Sequence, residues 1–145
     1  MENFEYQNPV KIVFGKGTIA KLGELIPARR KILLTYGGGS IKTNGAFAAV
    51  KKALAGRTLI EFGGIEPNPR YETLMKAVEI CREKKVTYLL AVGGGSVLDG
   101  TKFIALAAHY TAGDPWDILA KNAAASDSAD STRSDKDMPW ITRKA

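Results

Sequence analysis

The tetrapeptide Gly-Gly-Gly-Ser occurs twice in this sequence, at Gly37–Ser40 and Gly93–Ser96, and each copy directly follows a short apolar run, Lys31–Tyr36 or Thr87–Val92. A run of this kind reads as a strand covered on both faces, which is the hallmark of a parallel sheet. The segments after each glycine cluster change period. Ala46, Phe47, Val50 and Leu54 form a helical stripe closed by Gly56, and Val97, Ile104 and Ala108 lie along another. A third strand is expected at Thr58–Phe62, a loop through Pro67-Asn68-Pro69, and a helix from about Arg70 to Lys84 with Leu74, Val78 and Cys81 on one side. Upstream, Val10–Phe14 reads as a strand. Thr18 reads as the N-cap of a helix carrying Ile19, Leu22, Leu25 and Ile26 and ending at Pro27. Strand and helix alternating with short connections predict an α/β fold, a parallel sheet with helices on both faces and right-handed crossovers.

All 15 glycines fall between Gly15 and Gly113, and the sequence after Leu119 is dominated by Ala, Ser, Asp and Lys. The reading is therefore a folded body over 1–119 and a low-complexity, mobile tail over 120–145. No apolar stretch approaches the roughly 18 residues of a membrane helix, and the acidic start Met1–Glu5 lacks the apolar region of a secretory signal. One cysteine, Cys81, excludes a disulfide framework and suits a reducing cytoplasm. One histidine, His109, and one cysteine cannot build a nitrogen/sulfur metal site. Cys81 sits on an apolar stripe and reads as core, and His109 reads as a helix-end residue. The formal charge is +6, but the basic residues are dispersed and their densest groups, Arg29–Lys31 and Lys84–Lys85, fall where helices should end. No aromatic-and-basic motif for nucleic acid appears.

Ligands of open parallel sheets bind beyond the carboxyl ends of the strands, where both glycine clusters lie. Glycines let phosphate oxygens approach the main chain, and a following helix offers unpaired N–H groups to an anion. Gly93–Ser96 is thus a pyrophosphate cradle or, alternatively, a tight turn without a ligand. It departs from G-x-G-x-x-G, whose third glycine is replaced by Leu98, and from the P-loop pattern. Asp99 either complements the dipole of the following helix or accepts hydrogen bonds from ribose hydroxyls. No Asp or Glu stands between Tyr36 and Thr43, where a 2′-hydroxyl reader belongs. Ser40 and Lys42 there suit a 2′-phosphate, favouring NADP(H) over NAD(H), unless Lys42 is only a solvated residue. Asn68 is a hydrogen-bonding residue of a rigid loop or simply a turn former.

Phe14–Gly17, Thr35–Lys42, Glu61–Pro69 and Ala91–Lys102, together with Asp114-Pro115-Trp116, resemble the iron-containing (group III) alcohol dehydrogenases, in particular the NADP-dependent aldehyde reductase and butanol dehydrogenase branch. The resemblance covers the body to about Leu119. It implies a Rossmann-like dinucleotide-binding domain followed by an all-helical domain, in an enzyme that interconverts aldehydes and alcohols by hydride transfer. It further implies that Gly94, Gly95 and Ser96 hold the pyrophosphate and that Asp99 contacts the coenzyme on its nicotinamide side. Gly38, Gly39 and Ser40 would meet the 2′-phosphate, and Asn68 would line the cleft. The family's metal, Fe2+ or Zn2+, is held by an Asp and three His, and no histidine follows His109 here. The expectation is a chain without the helical domain or the metal ligands, with a truncated or frame-shifted end, that binds NADP(H) but turns nothing over. The full-length family is expected to be homodimeric, and the apolar surface left by the absent domain predicts self-association. Two other readings remain open at this stage: a noncatalytic nucleotide-binding fragment, and a dehydroquinate-synthase-like lyase on the same scaffold.

Overall fold

The computed structural model describes residues 10–120 and 140–143. A four-stranded sheet, with β1 (Ile32–Tyr36), β2 (Leu59–Phe62), β3 (Tyr88–Val92) and β4 (Trp140–Arg143), has the order β2-β1-β3-β4. Every pairing is parallel. All five residues of β1 are buried, which is why the sequence shows a run there and no alternation. β1 is flanked by β2 and β3 and carries a packed layer on each face.

One layer contains the short helices α1 (Leu22–Leu25) and α2 (Ser40–Thr43) and the longer α3 (Ala46–Ala53). It closes over Ile32, Leu34, Tyr36, Leu90 and Val92. The other contains α4 (Tyr71–Lys84), α5 (Gly95–His109) and α6 (Asp117–Ala120), built around Leu33, Ala91, Leu74, Val78 and Ile104. The buried face of α4 is Leu74, Ala77, Val78 and Cys81, the i, i+3, i+4, i+7 stripe of an amphipathic helix. The chain moves outward from β1 to β2 through α3 on one face. It then returns across β1 to β3 through α4 on the other. Reversing direction while switching faces is what a single crossover handedness requires.

Arginines tie the helix ends. Arg82 of α4 donates to the carbonyls of Ala107 (2.8 Å) and Tyr110 (3.0 Å) at the end of α5. Arg57 donates to Gly23 O (2.5 Å) and Ile26 O at the end of α1. Both engage carbonyls at or beside a helix C-terminus, where few backbone N–H groups remain to bond them.

Two expectations change. Val10–Phe14 forms no strand, and Val10, Ile12 and Phe14 stand 63%, 84% and 97% exposed. Extended propensity becomes a strand only where a sheet edge receives it, and this segment is not among the four strands of the sheet. Thr18 opens a 3-10 turn (Thr18–Lys21) leading into α1, with Gly17, not Thr18, as the cap. The Thr18 hydroxyl donates backward to Gly15 O at 2.9 Å. Most of the stretch read as a tail, 121–139 and 144–145, lies outside the described residues. Trp140–Arg143 is a strand that the sequence reading did not anticipate, paired Leu90↔Ile141 and Val92↔Arg143 with β3.

Candidate functional site

β1 and β3 are hydrogen-bonded neighbours in register Tyr36↔Val92, so the residues that follow them, Gly37 and Gly93, leave the sheet side by side. The strand order reverses at this place: β2 lies to one side of β1 and β3 to the other. A topological switch point opens a crevice between the loops leaving two adjacent strands. Both Gly-Gly-Gly-Ser segments border that crevice. The third loop, Gly63–Arg70, folds back to join them. Gly64 N–H donates to Gly37 O (3.0 Å) and Ile65 N–H to Tyr36 O (3.2 Å). A Cβ placed on Gly37 would stand 3.3 Å from Ile65 O and 3.6 Å from Val97 Cγ2, so the three loops touch at Gly37.

The second glycine loop is shorter than its sequence suggests, because Gly95 and Ser96 already belong to α5. Leu98 N–H makes the first intrahelical bond, to Gly94 O at 3.1 Å. The N–H groups of Gly95, Ser96 and Val97 therefore have no carbonyl one turn back to receive them. A Cβ on Gly94 or Gly95 would meet nothing within 4 Å, whereas one on Gly93 would stand 2.6 Å from Val97 Cγ2. Gly93 is glycine because α5 turns in tightly against the strand exit. Gly94 and Gly95 bare main chain toward open space, as a cradle for phosphate oxygens requires.

The sequence reading puts Asp99 in the first turn of the helix after Gly93–Ser96, and the structure does not. Because α5 begins at Gly95, Asp99 lies beyond the first turn, which contains no acidic residue. Its carboxylate is solvent-exposed and pairs with Lys102 Nζ at 3.6 Å.

In the first loop Gly39 takes φ +103°, a left-handed conformation that glycine adopts without strain, and a Cβ on Gly38 would meet nothing within 4 Å. Ser40 starts α2, and Lys42 follows two residues on. The Lys42 ammonium lies 5.3 Å from the centroid of the Tyr36 ring and 5.2 Å from that of Phe47. Those two rings meet edge to face at 6.1 Å. The Tyr36 hydroxyl that Lys42 faces, and then the charge on Tyr36, hold the amine above the ordinary lysine range. Lys42 is exposed, so the cation is oriented by aromatic faces and open to solvent at the rim of the crevice.

In the third loop Asn68 is exposed and left-handed, with φ +54°. Pro69 stands against α5: a Cβ on Gly100 would be 3.5 Å from Pro69 Cγ. Glu66 Oε1 accepts from the Thr73 hydroxyl at 2.7 Å. That bond, with the nearby backbone N–H groups of Glu66 and Arg70, holds the carboxyl below its usual range. Beneath the crevice a buried hydroxyl pair joins sheet to helix. Thr35 and Thr101 Oγ1 atoms are 2.6 Å apart, and Thr101 donates to Val97 O at 2.6 Å. Sequence reasoning missed Tyr36 and Phe47 as a platform, the Thr35–Thr101 pair and the Glu66–Thr73 pair. Only the Glu66 to Thr73 spacing across a helix start carried any signal.

The structure thus gathers Gly38, Gly39, Ser40, Gly94, Gly95 and Ser96 around one crevice, with the Asn68 loop beside them. It leaves Cys81 in the core, where burial pushes its thiol up to about 11. Among the described residues no group of three or more His, Cys, Asp or Glu could hold a metal ion. An apolar groove of about 640 Å3 lies elsewhere, between the Gly15–Ala20 turn and α3 over Leu90 and Val92.

A sequence profile described as "Iron-containing alcohol dehydrogenase" matches residues 9–142. The chain belongs to that family. It is 62% identical over 120 residues to the NADPH-dependent aldehyde reductase YqhD of Escherichia coli (strain K12), covering 82% of this chain and 31% of that protein. It is 52% identical over 124 residues to the probable NADH-dependent butanol dehydrogenase 1 of Bacillus subtilis (strain 168), covering 83% and 32%. Its fold matches the substrate- and cofactor-free aldehyde reductase YqhD of E. coli with a TM-score of 0.81 at 59% identity, covering 84% of this chain and 32% of that one. The family member therefore spans about a third of the length of the curated relatives it matches.

Proposed function

We propose that this chain is the NADP(H)-binding part of a metal-dependent alcohol dehydrogenase or aldehyde reductase. The observation that carries the reading is the adjacency of the two glycine-rich strand exits at the switch point, with main chain bared at Gly94 and Gly95. The pyrophosphate lies over Gly94, Gly95 and Ser96, receiving the unpaired N–H groups at the start of α5. The Asp99 carboxylate accepts from a ribose hydroxyl on the nicotinamide side, and Asn68 lines the cleft. Gly38, Gly39 and Ser40 admit the 2′-phosphate, with Lys42 as its cation. When bound, the coenzyme supplies or receives hydride. This chain's own residues bind and orient it. Reduction of an aldehyde is assigned to the whole metal-dependent protein, and this chain's share of it is holding the coenzyme.

The test is calorimetric titration of the chain with NADPH and NADH. NADPH should bind, and Gly95→Ala should weaken it at least tenfold while leaving the fold intact, since the methyl meets no protein atom. A charged phosphate contact contributes about 1.5–3 kcal/mol, or tenfold and more in affinity. Lys42→Ala should therefore erase most of the preference for NADPH over NADH. Equal binding of both coenzymes would leave the dinucleotide site standing and remove the assignment to NADP(H). Oxidation of NADPH by butanal with added Zn2+ or Fe2+ should stay at the blank rate; clear turnover would overturn the assignment of catalysis to the whole protein.

A further inference from the structure

We propose that Glu66 and Thr73 are positioning residues for the coenzyme: a staple between the Gly63–Arg70 loop and the first turn of α4 that keeps Asn68 left-handed beside the glycine loops. The inference rests on the coenzyme reading above and goes beyond it to residues that touch no coenzyme.

Asn68 precedes a proline and has φ +54°. A residue before proline prefers extended backbone, and although asparagine tolerates left-handed backbone better than most residues, positive φ at this position is held only where its surroundings impose it. The surroundings here are specific. The front of the loop is pinned by the Gly64 and Ile65 N–H bonds to Gly37 and Tyr36, and Ile65 is buried. The rear is pinned where Pro69 rests on α5 at Gly100. The span between the pins is held by a single side-chain bond, Thr73 Oγ1 to Glu66 Oε1 at 2.7 Å. The other carboxylate oxygen, Oε2, is buried and makes no hydrogen bond. The Thr73 hydroxyl is the strongest partner of this carboxylate, ahead of the nearby backbone N–H groups of Glu66 and Arg70.

Strain held at a loop that borders a crevice is strain in the binding conformation. If release of the staple lets Asn68 relax to extended backbone, the competent conformation falls to about a tenth of the population. Apparent affinity for the coenzyme then falls about tenfold, equivalent to about 1.4 kcal/mol. Global stability changes little, since the loop is mostly exposed and α4 keeps its buried stripe.

The experiment titrates NADPH into the full chain as wild type, Thr73→Val, Thr73→Ser and Glu66→Gln, with urea midpoints measured alongside. The expected result is a Kd for NADPH raised about tenfold in Thr73→Val and severalfold in Glu66→Gln. Thr73→Ser should stay within about twofold of wild type, because its hydroxyl restores the bond, and the urea midpoints should be nearly unchanged. NADPH binding by Thr73→Val as tight as by wild type overturns the proposal. So does a loss of affinity in Thr73→Val that Thr73→Ser fails to rescue, or one that tracks a loss of stability. A wild-type chain that binds neither NADPH nor NADH overturns the coenzyme reading itself, and the staple's role with it.

Discussion

Replacing Thr101 by valine should destabilise the chain more than replacing its partner Thr35, although both hydroxyls belong to one buried pair. Both residues are almost fully buried, Thr35 at 0% and Thr101 at 4% exposure. The Thr101 hydroxyl donates to Val97 O at 2.6 Å, so its single proton is committed. The 2.6 Å contact between the hydroxyls is therefore a bond donated by Thr35 and accepted by Thr101. Thr101→Val removes that acceptor and leaves a buried donor with Leu90 O at 3.4 Å, a long contact. An unmade buried hydrogen bond costs about 1–3 kcal/mol. Thr35→Val removes only a donor. The Thr101 proton remains satisfied, and a valine suits the interior of a strand, so the expected cost is about 0.5–1 kcal/mol. The double variant leaves no orphan and should resemble Thr35→Val, so the coupling equals the Thr101→Val cost, about 1–3 kcal/mol. Urea denaturation followed by circular dichroism measures all four corners of the cycle. A Thr35→Val cost exceeding that of Thr101→Val, or additive single effects, would refute the assigned direction of the bond.

Gly63→Ala should destabilise markedly, because its methyl would fall 2.3 Å from Tyr36 Cε2; a thermal midpoint equal to wild type would contradict the packing of that ring. Cys81, its thiol pushed up to about 11 by burial, should resist an aromatic disulfide reagent in native buffer and react only as urea opens the core; prompt stoichiometric labelling of folded protein would disprove this. Glu66, whose folded pKa lies below the ordinary 4.5, should contribute stability that is present above that value and lost as pH falls through the folded pKa. The gap in urea midpoint between wild type and Glu66→Gln, however small, should close on acidification; a gap that widens toward low pH would reverse the assigned sign.

Period and punctuation carried most of the fold. The buried runs at Ile32–Tyr36 and Tyr88–Val92 became central strands, and the spacing of Leu74, Val78 and Cys81 became the inner face of α4. Local pattern misled at Val10–Phe14, whose alternation has strand character but which is not among the strands of the sheet. It misled again at Asp99, where the boundary of α5 depends on how far Gly95 and Ser96 wind into the helix. It was silent about Trp140–Arg143, because pairing with a distant edge leaves no mark on four residues.

The chain's order of residues by itself determined which segments could be strands and helices, and where main chain would be bare, since both follow from side-chain period and the missing Cβ of glycine. It could not determine that the two glycine segments share one crevice. That came from the sheet order, in which β3 crosses back to lie against β1. Tertiary packing likewise decided that Thr73 closes on Glu66, that Lys42 rests between Tyr36 and Phe47, and that Thr35 meets Thr101. Local pattern reports what each residue prefers of its neighbours in the chain, whereas a binding site is a set of distances between residues that only folding makes neighbours.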